Sequence, residues 1–333
     1  MPFEIQPWAN ISANYRGTII LGNGASISVS PRFAYASLLQ HALNNGLLPN
    51  DVQQLFGFFQ TNDFELVLRL VWQASNVNRA LQIPDAITHN AYIRVRESLI
   101  QTVRDIHPEY NDISDQIPNI YDFLKRFDTV ISLNYDLIVY WTMTYGLDIR
   151  DQHSFKDCFV SGYFDENWQR FRQSIGFHDR AITLVFYPHG SLILCRNAVE
   201  QESKINAQGI GLLGSILNLW KSEQVIPLFV SEGTAFQKIS AIQNSYYLST
   251  VYREVFPAPK TDLTIYGWGL GEHDIHILRK MTNTGIQRVA ISVYGNDQAY
   301  CNKSYQIVRE TLGPHIHVDF FDCDSNGCWN HGA

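Results

Sequence analysis

Short all-apolar runs rich in β-branched residues recur along this chain, and stretches of helical period separate most of them. The runs fall at 17–21, 129–133, 182–186, 225–230, 263–266, 289–293 and 317–321. Runs this short and this uniformly apolar read as strands covered on both faces. The pattern predicts an α/β fold, a doubly wound, mostly parallel Rossmann-like sheet. Ser30-Pro31 reads as the start of a helix, with Ala34, Leu38, Leu39 and Ala42 on one face and Gly46 as its stop. Residues 50–126 keep a helical period, with Asn62 and Glu65 spaced as a capping box and Pro84 opening a helix that reaches Ile106. Further helices are expected at 137–145, 234–256, 273–284 and 298–312. Two largely helical insertions, about 30–127 and 145–180, would pack over one end of the sheet.

A chain of 333 residues has room for two domains. No repeat, low-complexity tract or Pro/Gly/Ser-rich linker divides it, so one domain over 1–333 is expected. With 45% hydrophobic and 17% charged residues, it can bury a large core. Lys and Arg number 25 against 32 Asp and Glu, a net charge of −7, so direct nucleic-acid binding is not expected. Five scattered cysteines without a C-x-x-C pair suit a reducing compartment. Glu4 stands where a secretion signal would carry lysines. The most apolar stretch, 209–220, is too short to span a bilayer and carries Ser215 and Asn218. A cytoplasmic location with no membrane partner is the expectation.

In doubly wound sheets, ligands bind beyond the carboxyl ends of the strands. Gly22-Asn23-Gly24-Ala25-Ser26 follows the first run, and glycines there let backbone amides approach a phosphate; a plain tight turn explains them equally well. Ile27 breaks the three-glycine fingerprint of a nicotinamide dehydrogenase. Asn134-Tyr135-Asp136 follows the second run. Its bland reading is a helix cap; its chemical reading has Asn134 positioning a water or a ribose hydroxyl, and Asp136 holding an amide-bearing leaving group. His189-Gly190 follows the run 182–186, an imidazole suited to accept a proton beside a glycine that admits a ligand. Gly267-Trp268-Gly269 follows the run 263–266, with Asp274 near the next helix start, where capping is its plain role. Asn296 lies in a further strand-end turn that could meet an adenosine, although turn chemistry alone accounts for it.

Taken in order, Gly22-x-Gly24-x-Ser26, Asn134-Tyr135-Asp136, His189-Gly190 and Gly267-Trp268-Gly269 with Asp274 resemble the sirtuin-like NAD-consuming superfamily, nearest its bacterial anti-phage defence branch. The resemblance runs from about residue 17 to 297. It implies that Gly22, Asn23, Gly24 and Ser26 line the phosphate and ribose region of NAD+. It implies that Asn134 meets the nicotinamide-side ribose and the attacking water, Asp136 the carboxamide, and His189 the ribose hydroxyls as the catalytic histidine. Gly190, Gly267, Trp268, Gly269, Asp274 and Asn296 complete the expected NAD+ contacts. The paired C-x-x-C zinc module of the deacylases is missing, which favours hydrolysis of NAD+ over deacylation.

The resemblance also implies gating, by homo-oligomerisation or by a separately encoded sensor, because free NAD+ hydrolysis would harm the cell that makes it. Residues 209–220 are a candidate partner-facing segment, or else core. The rival reading is a module that binds NAD+ or an ADP-ribose derivative without cleaving it. No metal is expected. Cys323, Cys328 and His331, after His315 and His317, have zinc-type donors but not a standard finger spacing. His273 and His276 read as surface or capping residues.

Overall fold

The computed structural model describes residues 2–34, 37–173, 181–205, 211–230 and 233–332. Its strands are β1 (Ile5–Pro7), β2 (Thr18–Leu21), β3 (Thr129–Ser132), β4 (His153–Lys156), β5 (Phe159–Val160), β6 (Tyr163–Phe164) and β7 (Ala181–Phe186). There follow β8 (Gly190–Asn197), β9 (Glu202–Lys204), β10 (Val225–Phe229), β11 (Asp262–Tyr266), β12 (Arg288–Val293) and β13 (His317–Asp322). Eight of them form one sheet in the order β1-β13-β12-β11-β2-β3-β7-β4, and every neighbouring pair in it is parallel. Parallel strands need crossovers, and helices supply most of them, so this is the doubly wound, Rossmann-like α/β arrangement.

β2, β3 and β11 are buried at every residue, which is why their sequences carry no alternation. The chain moves from β2 to β3 on one side, and later enters β11 on the other side of β2. The loops leaving β2 and β11 therefore set out in opposite directions from the topological switch point, the place where ligands bind in such sheets.

β10, β8 and β9 make a separate antiparallel sheet. The run 225–230 belongs to this sheet and not to the main one. The turn that carries the chain from β7 into β8 holds Gly190 at φ +73°, and a Cβ there would stand 2.2 Å from the Leu228 carbonyl oxygen. Gly190 is thus demanded by the chain reversal rather than by a ligand, and it lies outside the lining of the crevice.

The first insertion is helical, as its period indicates, although its starts differ. Ser30 caps only a short 3-10 turn, Pro31–Phe33. The helix proper is Leu38–Asn44, and its cap is Ser37, whose hydroxyl accepts from the Gln40 amide at 2.9 Å. Asp63, not Asn62, caps Phe64–Ala80, and Glu65 is buried near Arg69 and Arg196 at 3.7 and 3.8 Å instead of closing a capping box. Asp85 caps Ala86–Ile106, which buries Tyr92, Val95, Leu99, Val103 and Ile106 along one stripe. The second insertion is only partly helical where it is described: it holds the end of the helix Ile138–Ile149 and the 3-10 turn Trp168–Arg172, but β4 joins the main sheet, and β5 and β6 pair with each other. Residues 174–180 of that stretch lie outside the described residues.

The helix Leu212–Lys221 buries Leu212, Leu213, Ile216, Leu217 and Trp220, so the apolar stretch is core; Gly209 and Ile210 lie outside the described residues. Among the described residues, no helix is long and apolar enough to cross a membrane.

After β13 the chain folds back over the helix Asn23–Val29. Trp329, fully buried, donates its indole N–H to the Ala25 carbonyl at 2.9 Å. Asn330 donates to the Ser28 carbonyl at 2.9 Å. This clasp fixes the first strand-end loop from a point 304 residues away. Trp329→Ala should lower the unfolding free energy by about 3–5 kcal/mol in denaturant titration. A loss under about 1 kcal/mol would show that the clasp is not structural.

Candidate active site

Two loops meet at the switch point backbone to backbone. A Cβ on Gly22 would stand 2.5 Å from the Trp268 Cα, and one on Gly24 would stand 2.8 Å from the Gly267 Cα. Gly267 has φ +64°, and its Cβ would reach the Ala25 nitrogen at 2.3 Å. Their amides are already engaged. Gly22 donates to the Tyr266 carbonyl at 2.9 Å, Gly24 to the Gly267 carbonyl at 2.7 Å, and Gly267 to Ser292 Oγ at 2.9 Å. The expected phosphate cradle of these glycine amides is thus corrected: the three glycines let two loops touch, the Gly22 and Gly24 N–H groups bond across the contact, and that of Gly267 ties its loop to β12. Gly269 differs, with nothing within 4 Å of its Cβ position.

A hollow of about 350 Å³ opens beside this crossing, and Gly22, Asn23, Gly24, Asn134, Asp136 and His189 are among its lining residues. Lys238, Gly267, Trp268, Gly269 and Asp274 line it too. A second hollow of about 760 Å³ lies on the other side, against Ile27, Tyr294, Asp297 and Tyr300. Gly24, Gly267, Trp268 and Gly269 border both. Tyr300 steadies this partition by donating its hydroxyl to the Trp268 carbonyl at 2.6 Å.

Asn134 donates through Nδ2 to the Gly22 carbonyl and to Ser26 Oγ, both at 2.9 Å. A carbonyl partner settles which end of the amide is nitrogen, so Oδ1 is the atom left to accept a hydrogen bond. Ser26 in turn donates to Asp136 Oδ2 at 2.5 Å, and the Ile138 amide donates to Asp136 Oδ1 at 2.9 Å. Ser26 is buried and absent from the lining. It is therefore a link between Asn134 and Asp136 and not a surface for the ligand. Burial pushes the Asp136 carboxyl above its ordinary range, although the Ser26 and Ile138 donors oppose this.

The Asn134–Asp136 loop is held from two further sides. The Leu192 amide donates to the Tyr135 carbonyl at 2.8 Å, which ties the loop to the start of β8. The Leu137 amide donates to His107 Nε2 at 3.0 Å. His107 is buried between Phe33 and Trp141, its ring centroid 5.3 and 5.4 Å from theirs. Burial pulls its pKa down to about 4, which keeps Nε2 free to accept.

His189 is buried, and among the described residues its Nε2 has no hydrogen-bond partner. The Leu133 backbone stands beside the ring and favours a proton on it, and we assign the proton of the neutral imidazole to Nδ1 on that side. Burial, reinforced by Lys238 and His276 and opposed by Asp274, pulls its pKa down to about 3. The expectation of a ready proton acceptor near neutrality is corrected here: His189 is neutral but weakly basic, a hydrogen-bond acceptor before it is a base. Asp274 stands at the start of the helix Ile275–Lys280 without capping it. It accepts instead from Lys238 Nζ at 2.8 Å. Burial would raise its carboxyl, but the positive charge beside it, Lys238 in contact at 2.8 Å, outweighs that and holds it below its usual range.

Asn296 is exposed at φ +57°, accepts from Gln298 at 3.2 Å, and borders neither hollow. Turn chemistry accounts for it. His276 is buried rather than a surface residue. Asp322, Cys323 and Asp324 bring three donor atoms within 4.8 Å of one another, with His331 at 3.4 Å from Asp324. The thiol of Cys328 is buried, so this grouping differs from the Cys323, Cys328 and His331 set considered from spacing. Lys238 and His107 escape a reading of strand ends, because each comes from a helix or its exit.

Residues 19–329 match the family described as a domain of unknown function, DUF4917. The chain belongs to that family. No curated protein matches it closely enough to count as a relative. The match covers all four strand-end motifs and the clasp at Trp329.

The contrast among the glycines gives a direct check. Gly22→Ala should destabilise the fold by about 1–3 kcal/mol through overpacking against Trp268, whereas Gly269→Ala should stay within about 0.5 kcal/mol of the parent. Equal thermal unfolding of the two variants would contradict the loop crossing.

Proposed function

We propose that this protein is a sirtuin-like NAD+ glycohydrolase, which cleaves the nicotinamide–ribose bond to give nicotinamide and ADP-ribose. The observation that carries the reading is the orphaned lone pair of His189 in the hollow that Asn134 and Asp136 also line. A buried polar atom without a partner is costly, and a ligand hydroxyl would relieve it. Trp268 supplies a second such atom: its indole N–H is buried and unpartnered on the partition between the hollows. A dinucleotide laid across the partition satisfies both, with a ribose hydroxyl donating to His189 and a phosphate oxygen accepting from Trp268. The carboxamide N–H of nicotinamide would donate to Asp136, and the adenosine half would occupy the larger hollow.

In this mechanism the bond from ribose C1′ to the pyridinium nitrogen breaks, and its electron pair leaves with neutral nicotinamide. A cationic leaving group needs no general acid. Positive charge grows on the ribose ring, where the neighbouring carboxylates favour it. A water oriented by Asn134 Oδ1 bonds to C1′, and its proton passes to solvent. His189 holds the ribose hydroxyls in place, a task for which low basicity is no handicap. Unrestrained hydrolysis would drain the cell, so the proposal includes gating by self-assembly or by a separately encoded regulator. A part in prokaryotic anti-phage defence rests on the resemblance alone. The weak basicity of His189 equally suits a pocket that binds NAD+ or an ADP-ribose derivative without cleaving it, which is the second reading.

Purified protein incubated with NAD+ should release nicotinamide and ADP-ribose, resolved by chromatography. Asn134→Ala and His189→Ala should each slow release by at least about 10²-fold with melting behaviour preserved. Release at the parent rate by either folded variant would contradict these roles. Calorimetric NAD+ binding with no product would favour the second reading.

A further inference from the structure

We propose that Lys238 is a positioning residue for the same site: by holding the Asp274 carboxylate it prevents an Asp274–His189 ion pair, and so keeps the imidazole an uncharged acceptor. This rests on the role given to His189 above.

The geometry is a competition for one atom. Asp274 Oδ1 accepts from Lys238 Nζ at 2.8 Å and lies 3.9 Å from His189 Nε2. The Lys238, Asp274 and His189 side chains are 10%, 23% and 4% exposed. In such surroundings one carboxylate can balance one cation. With Lys238 in place, a proton on His189 would bury a second positive charge. Without Lys238, Asp274 becomes an uncompensated anion beside an imidazole, and a proton on Nε2 would close the gap as a charge-assisted hydrogen bond. Nε2 would then be a donor, and the ribose hydroxyl would lose its acceptor.

Among the described residues, the hydrogen-bond partner of Lys238 Nζ is Asp274. It lies in the first half of the helix Ala235–Gln243, where the helix dipole disfavours a cation. It is nevertheless buried. Its helix already has its start secured by Thr234 and Gln237 in a capping box. The other groups facing His189 are His276, its ring centroid 6.4 Å away, the Leu133 backbone, and Asp136 across the hollow. His276 is a further reason against a second cation. The depression of His189 basicity by burial and by Lys238 agrees with this arrangement.

Histidine-selective ¹⁵N labelling of the full chain tests the inference by titration, with His189→Gln assigning the signal. His189 should remain neutral below pH 5 in the parent protein and in Lys238→Arg. In Lys238→Met its midpoint should rise by about 1–3 pH units. Lys238→Met combined with Asp274→Asn should return it below the single variant. An unchanged midpoint in folded Lys238→Met, or an equal rise in Lys238→Arg, would overturn the inference. Should Lys238→Met fail to fold, Lys238→Gln is expected to show the same rise, and no rise there overturns it as well. Nicotinamide release measured beside the titration separates the two claims: the acid limb of turnover should move upward in Lys238→Met. If the parent releases no nicotinamide at any pH, the hydrolase reading falls while the titration still decides the role of Lys238.

Discussion

The contact between the loops leaving β2 and β11 has no side chain in it, and the site is built outward from that crossing. Adjacent parallel strands lie about 4.8 Å apart. Loops that leave two such neighbours for opposite sides must pass at backbone distance, which only glycine permits at Gly22, Gly24 and Gly267. Once crossed, the loops share their amides with each other and leave a hollow on either side. Trp268 becomes the partition because it follows the glycine that makes the tightest approach. The Trp329 clasp presses the same helix from behind. A clasp, a crossing and two hollows thus follow from one topological requirement.

Around the crossing, the buried carboxyls have partners, a counter-charge for Asp274 and neutral donors for Asp136, while a few atoms are left unmatched. Ser26 joins Asn134 to Asp136, and Lys238 balances Asp274. Among the described residues, His189 Nε2 and Trp268 Nε1 are two buried atoms without a partner, one an acceptor and one a donor, on residues that line the hollow. Folding gains nothing from them, since a buried unpaired polar atom costs about 1–3 kcal/mol. Their persistence is what a binding site for a bifunctional polar ligand requires. A neutral imidazole also avoids repelling a ligand that carries a pyridinium.

The strands were legible because burial on both faces leaves runs dominated by β-branched residues, as at Thr18–Leu21 and Thr129–Ser132. Asn134, Asp136 and His189 stood out because polar residues at the ends of such runs are conspicuous, and the fold brings them to one hollow. The glycines were found, yet three of them serve loop contact, a long-range property that spacing cannot reveal. The helix start at Ser30 failed because that serine precedes a proline and caps only a turn, while the structure caps the helix with Ser37. β4 was missed because His153–Lys156 is an edge strand and mixes polar with apolar residues, and β8 because Gly190 hides its start. Lys238 and His107 were invisible since their neighbours in sequence carry no chemistry; only the tertiary fold sets Lys238 against Asp274 and His107 under the Asn134 loop.

The central claim is that one crevice, bordered by Asn134, Asp136 and His189 and continued across Trp268, receives a dinucleotide. A crystal structure of the His189→Ala protein soaked with NAD+ tests this most directly. The account predicts the nicotinamide ring beside Asp136, the phosphates against the Trp268 indole nitrogen, and the adenosine in the hollow bordered by Tyr294 and Tyr300. Well-ordered NAD+ bound elsewhere on the protein, with both hollows empty, would contradict it.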